Sequence, residues 1–164
     1  AVKAYETEAA CKDGAVEIDM VINIGKALQE DWKYIEEEIK TVVETSHRYG
    51  AITKVIFETD YVTKDEQKIK LCEICSKVKA DFVKTSTGFG FVKGSDGKYS
   101  YAGATAHDLS LMRKYSAPGV KIKAAGGVRT LTDLLKFKEL GITRCGATAT
   151  VTMLEEARKL FGEQ

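Results

Sequence analysis

The stretch VEIDMVIN, residues 16–23, places apolar and charged side chains at alternate positions. Ile18 and Met20 share one parity, and Glu17 and Asp19 share the other. Because side chains alternate between the two faces of a β-strand, this stretch predicts a strand with one apolar and one acidic face. The apolar face needs a covering layer of other elements, whereas the acidic face must meet either a polar interior or solvent.

Four further apolar stretches predict strands, and helical stretches separate them. The strands are predicted at 53–59, 80–86, 120–126 and 142–148, and the helices at 28–49, 64–79, 105–115, 131–140 and 152–161. Strict alternation of strand and helix predicts an α/β fold with parallel strands joined by right-handed crossovers. Both a doubly wound sheet and a β/α barrel fit this order.

The charges on the later strands favour one of these two architectures. Lys54 and Glu58 share one face of the second strand, Lys84 lies on a face of the third, and Lys121 and Lys123 share a face of the fourth. An open parallel sheet covered by helices on both sides should be almost continuously apolar, so these half-charged strands favour a barrel with a polar site inside. A polar sheet face turned to solvent is the alternative, but it fits antiparallel sheets better.

One segment interrupts the alternation of strands and helices. Residues 91–102 alternate apolar and polar around Ser95-Asp96-Gly97, which predicts a β-hairpin inserted after the third strand, where it would cover a site. The 164 residues have the size of one domain, 1–164, that includes this insertion.

The charge balance excludes several classes of partner. Lys and Arg number 25 and Asp and Glu number 24, which leaves a formal net charge of +1 and no block of like charge. We therefore expect neither nucleic acid nor an anionic membrane as a partner. No apolar run approaches the roughly 18 residues of a membrane helix, so the expected partner is a small molecule.

The four cysteines are too few for a disulfide framework and indicate a reducing cytosol. Cys72 and Cys75 form a C-x-x-C that could be a redox dithiol or half of a zinc site. They recur at helical spacing, with no second pair or nearby histidine, so we expect them to be small buried apolar residues. His47 and His107 are interpreted as surface or capping residues.

Two lysines and one aspartate on the polar strand faces predict carbonyl chemistry. Asp19, Lys84 and Lys123 are expected at similar heights near the strand ends. Two adjacent ammonium groups disfavour each other's charge, and burial acts in the same direction, so the pKa of one lysine should be depressed. A neutral lysine amine is the nucleophile of Schiff-base catalysis, which requires neither a metal nor a cofactor. The alternative for either lysine alone is an ion pair with an acid.

Glycines follow both lysine strands. Gly88 and Gly90 come after the third strand, and Gly126 and Gly127 come after the fourth. Glycine-rich turns that lead into helix N-termini expose backbone N–H groups to anions, which predicts a phosphate site. Plain tight turns are the alternative, because neither turn is a complete phosphate-binding motif.

Five motifs carry a resemblance to a known family. They are EIDMVINIG (17–25), KVIFET (54–59), FVKTSTGFG (82–90), GATAHDLSLMRK (103–114) and KAAGGVRT (123–130). Together they resemble the deoxyribose-phosphate aldolases over essentially the whole chain. The resemblance implies Lys84 as the Schiff-base lysine, Lys123 as the partner that lowers its pKa, and Asp19 as a member of the proton relay.

The resemblance also implies a phosphate site and a reaction. The phosphate contacts fall on Gly88, Gly126, Gly127 and Thr148, and no metal or cofactor is implied. Phe89 stands where some family members carry a lysine. The implied reaction is the reversible cleavage of 2-deoxy-D-ribose 5-phosphate to D-glyceraldehyde 3-phosphate and acetaldehyde, in cytoplasmic deoxyribonucleotide catabolism. The alternatives are another Schiff-base phosphosugar aldolase and a non-catalytic phosphate-binding barrel fragment.

The family's TIM (β/α)8 barrel has more strands than this sequence predicts. Its first three strands have no counterpart here, so the chain is expected to supply about five of the eight β/α units. Five strands leave two open edges, which are prone to pairing with other strands. We therefore expect about 70 further N-terminal residues in the natural protein, or closure between like chains in a homo-oligomer.

Overall fold

Helices and strands alternate along the chain in a computed structural model, which describes residues 2–162. In this range the helices are α1 (Val2–Lys12), α2 (Ile24–Leu28), α3 (Trp32–Arg48), α4 (Asp65–Lys77), α5 (Ala106–Tyr115), α6 (Leu131–Glu139) and α7 (Thr150–Phe161). The strands are β1 (Glu17–Val21), β2 (Ile52–Ile56), β3 (Phe82–Lys84), β4 (Val92–Lys93), β5 (Tyr99–Ser100), β6 (Lys121–Ala125) and β7 (Arg144–Gly146). Each of the five predicted core strands has a counterpart, so the predicted α/β order is confirmed.

Five of the strands form one parallel sheet in the order β1-β2-β3-β6-β7. Neighbouring strands pair so that Asp19 lies opposite Lys54 and Lys84 lies opposite Lys123. The strands are added in chain order, as in a barrel, whereas a doubly wound sheet reverses its strand order partway. This topology positions the polar residues of successive strands side by side.

The sheet curves until side chains from its two edge strands touch. Arg144 Nη1, on β7, lies 2.7 Å from both carboxylate oxygens of Glu17, on β1. The Arg144 guanidinium also lies 4.6 Å from the ring centre of Phe82, on β3. In a flat sheet the two edge strands would be roughly 19 Å apart, so this contact excludes the doubly wound alternative. The charged face is the concave one, as the alternation of residues predicts.

The apolar faces of the strands pack under the helices. The sheet contributes the fully buried side chains of Val55, Phe57 and Ile122 to this core. Helices α3 and α4 contribute those of Ile35 and Leu71. Full burial of an apolar side chain of this size stabilises the fold by about 1.5–3 kcal/mol. The core therefore lies outside the curved sheet and leaves its concave face for polar groups.

Cys72 and Cys75 belong to this core. Both lie on α4 as free, fully buried thiols. Burial raises the pKa of Cys72 to about 11 and also raises the pKa of Cys75. A protonated, buried thiol is a poor metal ligand and a poor nucleophile. The prediction that these cysteines act as small buried apolar residues is confirmed.

The helix predicted over 28–49 is confirmed as α3, but it begins at Trp32 rather than at residue 28. The short α2 ends at Leu28, and Glu30 between the two helices has φ 60°. A residue in the left-handed region cannot continue a right-handed helix. Asp31 then caps α3, because its side chain accepts a hydrogen bond from the Tyr34 N–H.

Residues 91–102 project from the sheet after β3. Within them β4 and β5 pair antiparallel as a separate two-stranded sheet, and Gly97 has φ 78° in the turn. The Asp60 carboxylate, in the loop after β2, accepts hydrogen bonds from the N–H groups of Ala102 and Gly103. These bonds fix the base of the hairpin beside the carboxyl end of the sheet.

The surface carries the two histidines. His47 and His107 are exposed, and their rings lie 2.8 Å from carboxylate oxygens of Asp81 and Asp65, respectively. Both are surface residues, as expected. Among residues 2–162, no helix combines the length and the apolar character needed to cross a membrane.

Candidate active site

Three polar side chains meet on the concave face of the sheet. Lys84 Nζ donates a hydrogen bond to Asp19 Oδ2 over 2.9 Å. Lys123 stands beside Lys84 because β3 and β6 pair these two residues directly. Lys84 is only 8% exposed, so its ammonium group has little water to solvate it. The structure thus brings Asp19, Lys84 and Lys123 together.

Lys54 is a fourth member of the cluster, in addition to the three residues predicted from the sequence. Its Nζ lies 2.8 Å from Asp19 Oδ1 and donates to Glu17 Oε2 over 2.6 Å. Burial lowers the pKa of Lys54, but the hydrogen bonds to Asp19 and Glu17 prevail and raise it. Lys54 is therefore a fixed cation. A signal was present in the sequence, because Lys54 has the parity of the charged face.

Asp19 is held as an anion between two ammonium groups. Burial raises the pKa of its carboxyl, whereas the hydrogen bonds from Lys54 and then Lys84 lower it, and the net pKa is below its usual value. The carboxylate therefore stays ionised near neutral pH and can hold the Lys84 amine in a defined orientation.

A further ion pair closes the polar interior behind these groups. The pKa of Glu17 falls to about 2, first because Arg144 donates to its carboxylate and second because Lys54 does so. Charges of alternating sign run from Arg144 through Glu17, Lys54 and Asp19 to Lys84. Every charge in this series has an opposite neighbour, and this pairing compensates the two buried charges, those of Lys54 and Lys84.

Lys123 has different surroundings from Lys84. Burial is the largest cause that lowers its pKa, and the charge of Lys84 is the next, while Asp19 opposes both. None of the side-chain hydrogen bonds found within residues 2–162 uses Lys123 Nζ. Of the two lysines, Lys123 is thus the one whose pKa is lowered by its surroundings.

Removing the Lys84 charge should raise the pKa of Lys123. In Lys84→Met the like charge disappears and Asp19 loses one of its ammonium partners, so both changes favour protonated Lys123. An NMR titration of the Lys123 side chain should give a midpoint higher by on the order of one pH unit. Lys121→Met, on the same strand but at an exposed position, serves as the control and should leave the midpoint in place. An unchanged midpoint in Lys84→Met would show that the two amines do not interact.

A cleft of about 430 Å³ opens beside the two lysines. Its lining includes all the residues expected to contact phosphate, namely Gly88, Gly126, Gly127 and Thr148. Asp19 does not line this cleft, but it accepts a hydrogen bond from Lys84, which does. A larger cavity of about 570 Å³ lies between α1 and α3, where no lysine pair or glycine turn converges. Volume alone therefore does not identify the site.

Aromatic side chains form another wall of the cleft. Phe89, Phe91 and Tyr101 all line it. The rings of Phe91 and Tyr101 meet edge to face with their centres 5.2 Å apart, and the Tyr61 hydroxyl donates to the Phe91 carbonyl oxygen over 2.9 Å. The base of the hairpin is thus part of the cleft.

Three glycines shape the wall next to Lys123. Gly103, Gly126 and Gly127 have φ values of 68°, 82° and 72°. A Cβ on Gly103 would lie 2.5 Å from the carbonyl carbon and oxygen of Gly126, and a Cβ on Gly127 would lie 2.6 Å from the oxygen of Ala102. None of the hydrogen bonds among residues 2–162 uses the Gly127 N–H. This N–H remains available to an anion.

Hydroxyl groups fix the segment that carries Lys84. Thr85 Oγ1 donates to the Ala125 oxygen over 2.8 Å and accepts from the Ala125 N–H over 3.0 Å, which joins the ends of β3 and β6. The Gly88 N–H donates to Ser86 Oγ over 3.0 Å. An anion at Gly88 would therefore share this donor with Ser86.

One cluster on the outer helices has the composition of a metal site. Asp65, His107 and Asp108 bring potential ligand atoms close together on α4 and α5. The Lys68 ammonium donates to both Asp65 and Asp108. This cluster already holds a cation and lies away from the cleft.

Comparison with known proteins shows the family of the chain. Residues 1–150 match the family described as DeoC/LacD family aldolase. The deoxyribose-phosphate aldolase of Rhodopirellula baltica is 49% identical over 162 residues, which are 99% of this chain and 63% of that protein. The deoxyribose-phosphate aldolase of Thermococcus kodakarensis is 45% identical over 156 residues, which are 95% of this chain and 65% of that protein.

Solved structures of deoxyribose-phosphate aldolases also superpose on this chain. A putative deoxyribose-phosphate aldolase from Coccidioides immitis superposes with a TM-score of 0.81 at 32% identity, over 94% of this chain and 57% of that one. The deoxyribose phosphate aldolase of Aeropyrum pernix, described as tetrameric, superposes with a TM-score of 0.79 at 26% identity, over 97% of this chain and 62% of that one. The chain thus spans less than two thirds of the length of these proteins. Its five-stranded parallel sheet corresponds to part of the TIM barrel of these aldolases. The chain belongs to the DeoC/LacD family of aldolases.

Proposed function

We propose that the protein is a class I aldolase that reversibly cleaves 2-deoxy-D-ribose 5-phosphate to D-glyceraldehyde 3-phosphate and acetaldehyde. The observation that carries this proposal is the position of the Lys84 amine. Lys84 is largely buried, its amine is oriented by Asp19 at 2.9 Å, and it lines a cleft together with Lys123. A buried lysine at the wall of such a cleft is suited to form a Schiff base.

The proposed reaction needs Lys84 as its only nucleophile and restores it at the end. Neutral Lys84 Nζ attacks the C1 aldehyde carbon of the open-chain sugar, and the carbinolamine loses water to give an iminium. A base takes the proton of the C3 hydroxyl, the C2–C3 bond breaks, and its electron pair moves into the iminium. Glyceraldehyde 3-phosphate leaves, and an enamine remains on Lys84. Protonation at C2 followed by hydrolysis releases acetaldehyde and restores the amine.

Asp19 and Lys123 move the protons, through water where they do not reach the substrate. Asp19 accepts the hydrogen bond of Lys84 and orients its amine. The lowered pKa of Lys123 leaves more of it as a neutral amine near neutral pH, which suits a group that accepts and returns a proton.

The substrate phosphate is proposed to bind over Gly88, Gly126, Gly127 and Thr148. The free Gly127 N–H and the shared Gly88 N–H both supply backbone donors. Arg129 also lines the cleft and adds a positive charge.

Reductive trapping tests the proposal. The full-length protein is incubated with acetaldehyde and borohydride, and peptide mapping should find an ethyl group on Lys84. A non-catalytic phosphate-binding barrel fragment would bind inorganic phosphate without being trapped. A Schiff-base aldolase for another phosphosugar would be trapped but would release no acetaldehyde from 2-deoxyribose 5-phosphate. Either outcome would replace the proposed function.

We also propose a cytoplasmic location, in deoxyribonucleotide catabolism, with small-molecule phosphosugars and aldehydes as the partners. The free cysteines agree with a reducing compartment. An assembly of like chains is proposed because the Aeropyrum pernix relative is described as tetrameric. Light scattering of the full-length protein measures the mass of the assembly, and the mass of a single chain would contradict the proposed assembly.

A further inference from the structure

Glu58 is a buried carboxylate that the proposed reaction does not use. It follows β2, is 4% exposed and has φ 53°, a backbone conformation that costs a residue with a side chain about 1–2 kcal/mol. None of the ion pairs found within residues 2–162 involves Glu58. A buried carboxylate in a strained conformation needs compensating contacts.

These contacts come from the loop that follows Lys84. Glu58 Oε1 accepts hydrogen bonds from Ser86 Oγ over 2.8 Å and from the Thr87 N–H over 3.1 Å. Glu58 Oε2 accepts from Thr87 Oγ1 over 2.6 Å. Three donors of a single loop therefore converge on one carboxylate.

The carboxylate also decides how the two hydroxyls are oriented. Thr87 gives its hydroxyl proton to Glu58, and Ser86 does the same over 2.8 Å, with Asp60 Oδ2 a more distant acceptor at 3.4 Å, so the lone pairs of both hydroxyls face the loop. Ser86 Oγ then accepts from the Gly88 N–H, and Thr87 Oγ1 accepts from the Phe89 N–H, each over 3.0 Å. An acceptor-only group at Glu58 is required for this order of hydrogen bonds.

Gly90 shows that the loop is packed against this carboxylate. A Cβ on Gly90 would lie 2.8 Å from Glu58 Oε1 and 2.9 Å from its carboxyl carbon. The loop therefore approaches Glu58 as closely as its backbone permits.

Lys84 itself is fixed by other groups. Its side chain is held by Asp19, and its carbonyl oxygen accepts from the Phe57 N–H over 2.9 Å. The next residue, Thr85, is bonded in both directions to Ala125. A change at Glu58 should therefore disturb residues 86–89 more than it disturbs the nucleophile.

We propose that Glu58 is a positioning residue that holds residues 86–89 in the conformation that binds the substrate phosphate. The proposal rests on the proposed function, because it assumes that Gly88 and the cleft residues beside it receive that phosphate. It assigns to Glu58 no contact with the substrate.

Glu58→Gln tests this role with almost no change of shape. The amide offers one acceptor oxygen and two donors, so it cannot receive all three hydrogen bonds. The KM for 2-deoxyribose 5-phosphate and the inhibition constant of inorganic phosphate should both rise about tenfold or more. The rate of trapping by acetaldehyde, which has no phosphate, should stay within about twofold because Lys84 is fixed separately.

Glu66→Gln is the matched control. It makes the same change of charge at an exposed position on α4, and it should leave both phosphate-dependent constants unchanged. A control that shifted them equally would assign the effect to net charge and overturn the proposal.

Thr87 gives a second route if Glu58→Gln does not fold. Thr87→Val keeps the shape of the side chain but removes the hydroxyl, and it should raise the KM and the phosphate inhibition constant as Glu58→Gln does. Thr87→Ser restores the hydroxyl and should recover most of the loss.

The outcomes separate the two proposals. If the wild-type protein is not trapped by acetaldehyde, the proposed function fails, and direct binding of inorganic phosphate to the wild type and to Glu58→Gln still tests Glu58. If the wild type is trapped but phosphate affinity is unchanged in Glu58→Gln, the role of Glu58 is wrong. An equal loss of trapping and of phosphate affinity would also overturn it, because it would indicate general damage to the site.

Discussion

Lys84→Arg is expected to reduce covalent trapping by acetaldehyde and borohydride to background. A guanidinium stays protonated at any practical pH and cannot form an iminium. It does keep a positive charge beside Asp19, which accepts a hydrogen bond from Lys84 over 2.9 Å. The variant should therefore fold with a free energy of unfolding close to that of the wild type, and the loss can be assigned to chemistry.

Lys121→Arg is the control for this experiment. Lys121 lies on β6 with Lys123 but is exposed, and its replacement should leave trapping at the wild-type level. Intact mass and peptide mapping measure the outcome in both variants. A persistent ethyl group in Lys84→Arg, mapped to Lys123 or Lys54, would move the nucleophile to that residue.

Gly103→Ala is expected to be the most destabilising small substitution beside the cleft. The positive φ of Gly103 costs an alanine about 1–2 kcal/mol, and its Cβ would lie 2.5 Å from backbone atoms of Gly126. Neither backbone can move without displacing the proposed phosphate loop, so overpacking adds about 1–3 kcal/mol. The free energy of unfolding should fall by the sum of these costs, and the KM for the phosphosugar should rise.

Gly97→Ala separates the two causes. Gly97 has φ 78°, but no atom lies within 4 Å of a Cβ built on it. It should show only the backbone cost and an unchanged KM. Denaturant unfolding of both variants measures the difference. Equal losses at the two glycines would mean that the contact between Gly103 and Gly126 is not tight in solution.

Strand parity predicts much of the site, because a period of two decides which side chains share a face. It groups Asp19, Lys84 and Lys123 correctly on the concave side. Strand parity alone does not predict the contact between Lys54 and Asp19. This contact depends on the register between β1 and β2, and tertiary packing sets that register.

Other features have no local signal at all. Glu30 takes a left-handed conformation that moves the start of the predicted helix from residue 28 to Trp32, although glutamate is a good helix former. The hydroxyls of Ser86 and Thr87 find their acceptor on Glu58, which lies 28 and 29 positions earlier in the chain. The tertiary fold determines such partners. The family motifs contain these residues but do not indicate that they are in contact.

The contact between Glu17 and Arg144 has a consequence for the order of folding. The two residues lie 127 positions apart, and ordering the chain between them costs more entropy than ordering any single β/α unit. The pair can form only after the intervening strands have assembled, so we expect it to be absent from the folding transition state. Contacts of this kind slow unfolding without accelerating folding. The curvature of the sheet would then contribute to the lifetime of the native state rather than to the speed at which that state is reached.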